Sequence, residues 1–97
     1  MPAYFTPQAE IDVEEIGDYI ALENPKRAVT FIQEMRQHCK RIAESPLGYA
    51  ARPDLGDAIR TCAYGNYLIV FEPYHDGALI LRVLHGARNL SGIFSSS

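Results

Sequence analysis

The sequence predicts an α+β fold in which an N-terminal strand and an antiparallel helical hairpin pack on a three-strand antiparallel meander. Three observations predict it. Apolar residues up to Ile42 recur at helical spacing, and those after Gly56 fall in extended runs. Two helix starts are marked by a capping side chain followed by proline, Thr6-Pro7 and Asn24-Pro25.

Ala3-Tyr4-Phe5 reads as a short strand, after which Thr6 offers a capping hydroxyl and Pro7 the first helical position. Ala9, Val13, Ile16 and Ile20 form one apolar face of a first helix ending near Glu23, with acids around the remainder. Asn24-Pro25 then starts a second helix almost at once, so the two form a hairpin. Ala28, Phe31, Ile32, Met35, Cys39 and Ile42 make its stripe.

Pro46, Gly48, Pro53 and Gly56 make Ser45 to Gly56 a connecting loop. Ala58 to Tyr64, Tyr67 to Tyr74 and Ala78 to His85 are strands, separated by Gly65-Asn66 and by a turn containing Asp76-Gly77. Tyr67 to Phe71 is apolar at every position, which fits a central strand covered on both faces. In the last strand, alternation places Leu79, Leu81, Val83 and His85 on one face and Ile80, Arg82 and Leu84 on the other.

A chain of 97 residues has room for one domain, 1–97, whose residues 89–97 form a short tail. The start lacks the features of a secretory signal, and the longest apolar run is too short to span a bilayer, so a cytoplasmic protein with no membrane partner is expected. Cys39 and Cys62 match no metal spacing and read as free structural thiols, and no cofactor is implied. The net charge of −3 argues against a protein whose main task is to grip nucleic-acid phosphates. Residues 1–25 hold six acids and no lysine or arginine, residues 26–41 hold five bases against Glu34, and from Gly77 onward there are two arginines and no acid.

Arg82-Val83-Leu84-His85-Gly86-Ala87-Arg88 ends the β-rich half, so a strand delivers Arg, His and Arg to a rim. Asn89 to Phe94 follows, with Leu90, Ile93 and Phe94 as apolar side chains that read either as a strap over the core or as a docking surface. Arg82 must find a partner: an acid of the first helix, Asp54 or Asp57, or a bound target. Arg60 carries the same ambiguity, and His85 either orients the Gly-Ala turn or touches a target. Tyr19, Tyr49, Tyr64, Tyr67 and Tyr74 could furnish interface anchors. His38 and His75 are assigned no function.

The order of elements, with Asp18-Tyr19-Ile20-Ala21, Asn24-Pro25, Phe31-Ile32, Ser45-Pro46, Arg52-Pro53-Asp54-Leu55, Ile59-Arg60, Tyr64 to Ile69 and Arg82 to Arg88, resembles the ParE branch of the RelE/ParE toxin superfamily. The resemblance spans Tyr4 to Phe94. It implies a type II toxin that inhibits DNA gyrase by binding, is neutralised by a ParD-like antitoxin, and meets operator DNA only through that antitoxin. Arg60, Arg82, His85, Arg88, Leu90, Ile93 and Phe94 are the target-binding candidates, with no catalytic residue. The rival is a ribosome-dependent ribonuclease of RelE type, which needs a base, an acid and a cation at one phosphate. Arg60, Arg82 and His85 would then be catalytic, with a carboxylate such as Glu44 for a second proton transfer. The shortage of lysine, only Lys26 and Lys40, weighs against it. A non-toxic half of an operon-repressing complex is the third reading.

Overall fold

Thr6 is the point at which the chain turns from strand to helix. Its hydroxyl accepts the Ala9 amide at 3.0 Å, with Pro7 at the first helical position, in a computed structural model that describes residues 1–86. β1 (Ala3–Phe5) therefore runs directly into α1 (Pro7–Ala21). Asn24 repeats the device by accepting the Arg27 amide at 3.0 Å, which starts α2 (Pro25–Glu44). α1 stops at Ala21 rather than near Glu23, because the Leu22 and Glu23 amides tighten onto the carbonyls of Tyr19 and Ile20, three residues back.

The segment after α2 is more ordered than a plain loop. A 3-10 turn at Pro46–Gly48 leads to the two-residue strand β2 (Ala50–Ala51). β3 (Arg60–Tyr64), β4 (Tyr67–Tyr74) and β5 (Gly77–His85) follow as the expected meander. β3 starts two residues after Ala58, because the turn closed by Ile59 N–H on the Gly56 carbonyl keeps Ala58 and Ile59 outside it. The sheet extends beyond the three-strand meander, with order β1-β5-β4-β3-β2. β2 pairs antiparallel with β3, and β1 pairs parallel with β5, Ala3 opposite Ala78.

Gly65 takes φ 59° at the first central position of the β3–β4 hairpin, where a side chain would be strained. The β4–β5 turn is made by His75 and Asp76, with His75 at φ 50°, and Tyr74 faces Gly77 across it. Gly77 thus belongs to the strand. Its lack of a side chain serves a close crossing: a Cβ there would collide with the Pro2 carbonyl, which accepts the Ala78 amide at 3.2 Å.

One sheet face carries the main core. Val13 and Ile16 of α1 and Met35, Cys39 and Ile42 of α2 meet Ile69, Phe71, Ala78, Ile80 and Val83. Each large side chain buried here contributes about 1.5–3 kcal/mol. The second face is covered by Leu55, packed with Leu84, Ile59 and Leu68. Ile69, Val70 and Phe71 are consequently all buried, as a central strand requires.

The face assignment along β5 differs from simple alternation. Val70 pairs with Arg82 but Phe71 with Ile80, so one extra residue, Leu81, bulges from β5. The slip exchanges the faces of everything beyond it. Ile80 and Val83, three positions apart, both enter the helix-covered core, and His85 lands opposite Tyr67.

Candidate functional site

The bulge lies where β5 loses its outer neighbour. β1 covers β5 only as far as Ile80, after which the chain turns away into α1. Thr6 and Asp12 take over the pairing. The Thr6 amide donates to the Ile80 carbonyl at 3.1 Å and the Thr6 hydroxyl to the Leu81 carbonyl at 2.9 Å. Two residues on, the Val83 amide donates to Oδ2 of Asp12 at 3.0 Å.

Asp12 is 5% exposed and takes four hydrogen bonds. Beside Val83, Arg82 donates through Nε to Oδ2 at 2.8 Å and through Nη2 to Oδ1 at 3.1 Å, and Gln8 reaches Oδ1 at 3.2 Å. Burial by itself would raise the Asp12 pKa. The hydrogen bonds from Arg82, Val83 and Gln8, with the Arg82 charge, outweigh it and hold the carboxyl below its ordinary value. Arg82 is correspondingly raised by its bonds to Asp12. Of the partners open to Arg82 from its sequence, an acid of the first helix is the one the fold supplies.

His85 and Gly86 lie at the exit of β5. His85 stands edge-to-face on Tyr67 at 5.8 Å, and the Gly86 amide donates to the Asn66 carbonyl at 2.9 Å, tying the rim to the β3–β4 turn. A cleft there is lined by Glu15 and Tyr19 of α1, Asn66 and Tyr67, and Leu84 and His85. Tyr67 continues into a run of rings, Phe31 at 5.7 Å, then Tyr64 at 5.6 Å and His38 at 5.0 Å.

Arg60 is elsewhere. Its Nη1 donates to the Tyr49 carbonyl at 2.6 Å and to that of Leu47 at 3.4 Å, holding the 3-10 turn against the sheet. Arg60 faces Phe71 on β4 whereas His85 faces Tyr67, and β3 and β5 flank β4. Their backbones are therefore about 13 Å apart along the strands and about 10 Å across them. Arg60, Arg82 and His85 do not converge on one point. Glu44 closes α2 and lines a different cleft, with Leu47 and His75.

Cys39 lies on the buried stripe of α2, as its spacing placed it. Cys39 is buried, which pushes its pKa up to about 12 against the lowering effect of Arg36, and Cys62 is part-buried with its Sγ 3.2 Å from His38 Nε2. Among the described residues no three His, Cys, Asp or Glu side chains gather as metal ligands, and no helix is long and apolar enough to cross a membrane. The basic stripe of α2 meets the acidic helix through Arg36, 2.7 Å from Glu10. Between those helices an apolar groove of about 500 Å³ is floored by Val13, Gly17, Ala28 and Ile32 and edged by Glu14 and Asp18.

Residues 3–90 match the family described as ParE toxin of type II toxin-antitoxin system, parDE. The chain belongs to the ParE toxin family. A solved structure of the chromosomal ParDE TA system from P. aeruginosa is similar in fold, with a TM-score of 0.75 at 22% identity, over 88% of this chain and 95% of that one. No curated protein matches in sequence.

Within this ParE toxin, His85 stands at the rim, Arg82 lies three residues before it on β5 bonded to Asp12, and Arg60 stands on β3 beyond β4. Arg88, Leu90, Ile93 and Phe94 lie outside the described residues. Of the five tyrosines proposed as anchors, Tyr19 is 71% exposed and Tyr74 39%, and the other three are partly buried. The sequence reading did not single out Asp12 from the other acids of α1. A signal existed: Asp12 falls three residues after Ala9 and four before Ile16, on the apolar stripe, where a carboxylate needs buried partners.

Proposed function

We propose that this ParE toxin inhibits DNA gyrase by binding, without chemistry of its own, and is neutralised by a ParD-like antitoxin. The observation that carries the first part is the dispersal of Arg60, Arg82 and His85 from one another, with both arginines bonded into the fold. Phosphoryl chemistry needs base, acid and cation around one phosphate. Binding needs only a surface, and a ligand that prefers the DNA-cleaved state of gyrase to the resealed state shifts that equilibrium toward breaks.

The contact surface in this reading is His85 with the segment beyond it, Arg88, Leu90, Ile93 and Phe94. Family membership supports the antitoxin partner, as does the likeness to a ParDE system. The groove between α1 and α2, lined by Glu14, Asp18 and Arg36 around apolar side chains, offers apolar area to such a partner.

The test is twofold. Expressed in bacteria without an antitoxin, the chain is expected to stop DNA synthesis before protein synthesis, and the purified protein to inhibit supercoiling by gyrase with accumulation of cleaved DNA. Early loss of protein synthesis would instead support the ribonuclease, and soluble protein with no defect would support a non-toxic half of a repressor complex. Removing residues 89–97 is expected to abolish gyrase inhibition while the thermal transition remains.

A further inference from the structure

Asp12 is buried at the base of α1's contact with β5 and lines the rim cleft beside Val83 and His85, and it meets the β5 edge just past the bulge that turns that strand over. We propose that Asp12 is the positioning residue of the target-binding rim: its carboxylate, bonded to the Val83 amide, fixes the register in which His85 is presented at the end of β5. The proposal rests on the reading of the rim as the gyrase-binding surface.

The argument begins with the ladder. Beyond Ile80 the outer edge of β5 has no strand beside it among the described residues, and a buried amide left unpaired there is costly. Val83 is 2% exposed, so water is a poor substitute. A strand offered only solvent would regain pairing by relaxing the bulge, and a slip of one residue sends every following side chain to the opposite face. Asp12 Oδ2 removes that incentive by accepting the amide at 3.0 Å.

Arg82 secures the acceptor. Its two bonds, at 2.8 and 3.1 Å, engage both carboxylate oxygens, a fork-like pairing that leaves little rotational freedom. Asp12 itself is carried on α1, whose Val13 and Ile16 are locked in the main core. The exit direction of the rim is thereby referenced to the helical hairpin rather than to the sheet edge. Arg82, though it neighbours the rim, works through Asp12.

The experiment compares Asp12→Asn with Asp12→Ala in the full chain. Asn keeps an oxygen for the Val83 amide and Ala does not. Gyrase inhibition is expected to fall roughly tenfold or more in Asp12→Ala and to stay within roughly threefold of the parent in Asp12→Asn. Hydrogen exchange of the Val83, Leu84 and His85 amides is expected to accelerate in the Ala variant alone. Amides beyond the edge, such as those of Ile69 and Phe71, are expected to remain protected in both.

Equal losses in the two variants, with the Val83 amide protected in both, would overturn the positioning role. So would an Ala variant whose exchange rises uniformly across the sheet, which marks Asp12 as a general stability residue. If the parent chain does not inhibit gyrase, the reading of the rim fails, and exchange at Val83 to His85 still decides whether Asp12 holds that segment.

Discussion

Arg60 donates to the Tyr49 carbonyl at 2.6 Å, so an arginine on β3 closes the turn that precedes β2. The bond is charge-assisted and part-buried, and a second, longer one to Leu47 shares the same nitrogen. Arg60→Ala is therefore expected to destabilise the fold by about 1.5–3 kcal/mol, the range for a hydrogen bond to a charged group. Urea denaturation checks it. Gyrase inhibition measured well below the transition is expected to be retained, and a lost inhibition in a stable variant would return Arg60 to the contact surface.

Gly77 is expected to tolerate no side chain, because the Pro2 carbonyl crosses it at a distance no Cβ can share. Gly77→Ala has to push β1 away from β5, breaking the bond from the Ala78 amide to Pro2 and loosening Ala3 and Phe5 from the core. A loss of about 2–4 kcal/mol is expected, comparable to other core disruptions. Calorimetric melting of the variant, beside one lacking residues 1–5, gives the answer: matching losses locate the damage in β1.

Acid is expected to weaken the molecule through Asp12. Its folded pKa is depressed below the ordinary carboxylate value, so its contribution is complete above the unfolded pKa of about 4 and disappears as pH falls through the folded value. The parent should lose stability on going from pH 5 to pH 3 more steeply than Asp12→Asn, which cannot titrate there. Thermal melts across that range settle the point, and parallel slopes would mean that other carboxylates dominate the acid limb.

Thr6 performs two tasks, capping α1 at Ala9 and closing the β5 edge at the Leu81 carbonyl. Thr6→Ala removes both, and an expected cost of about 1–2 kcal/mol follows from the cap alone. Thr6→Ser keeps the oxygen and should recover most of it. Paired unfolding curves would show this, and a serine variant as weak as alanine would shift the credit to the methyl group.

The helical half was legible because its signals are local. Thr6-Pro7 and Asn24-Pro25 mark their helices to the residue, and the stripes of α1 and α2 are the faces that pack. The strand half was legible in number and order but not in facing. A bulge adds one residue, Leu81, to a run that is apolar but for Arg82, so nothing in Gly77 to Leu84 announces that Val83 follows Ile80 onto the same side. Arg60 shows the other limit: its acceptors are main-chain carbonyls, which carry no residue identity to read. Gly77 looked like turn chemistry, yet its reason lies in a segment 75 positions away in the chain.

The parallel pairing of β1 with β5 also orders events in time. β5 lies between the first strand of the chain and β4, and Ala3 finds its partner only when Ala78 has been made. Helices α1 and α2 can form on the ribosome, but the sheet they cover lacks one of its inner strands until Gly77 to His85 has been made. The rim is the last part of the described chain to be made. A nascent chain ending at Tyr74 therefore exposes its apolar helix faces to chaperones and proteases and carries no formed rim, so whatever the rim binds cannot be engaged before β5 is made.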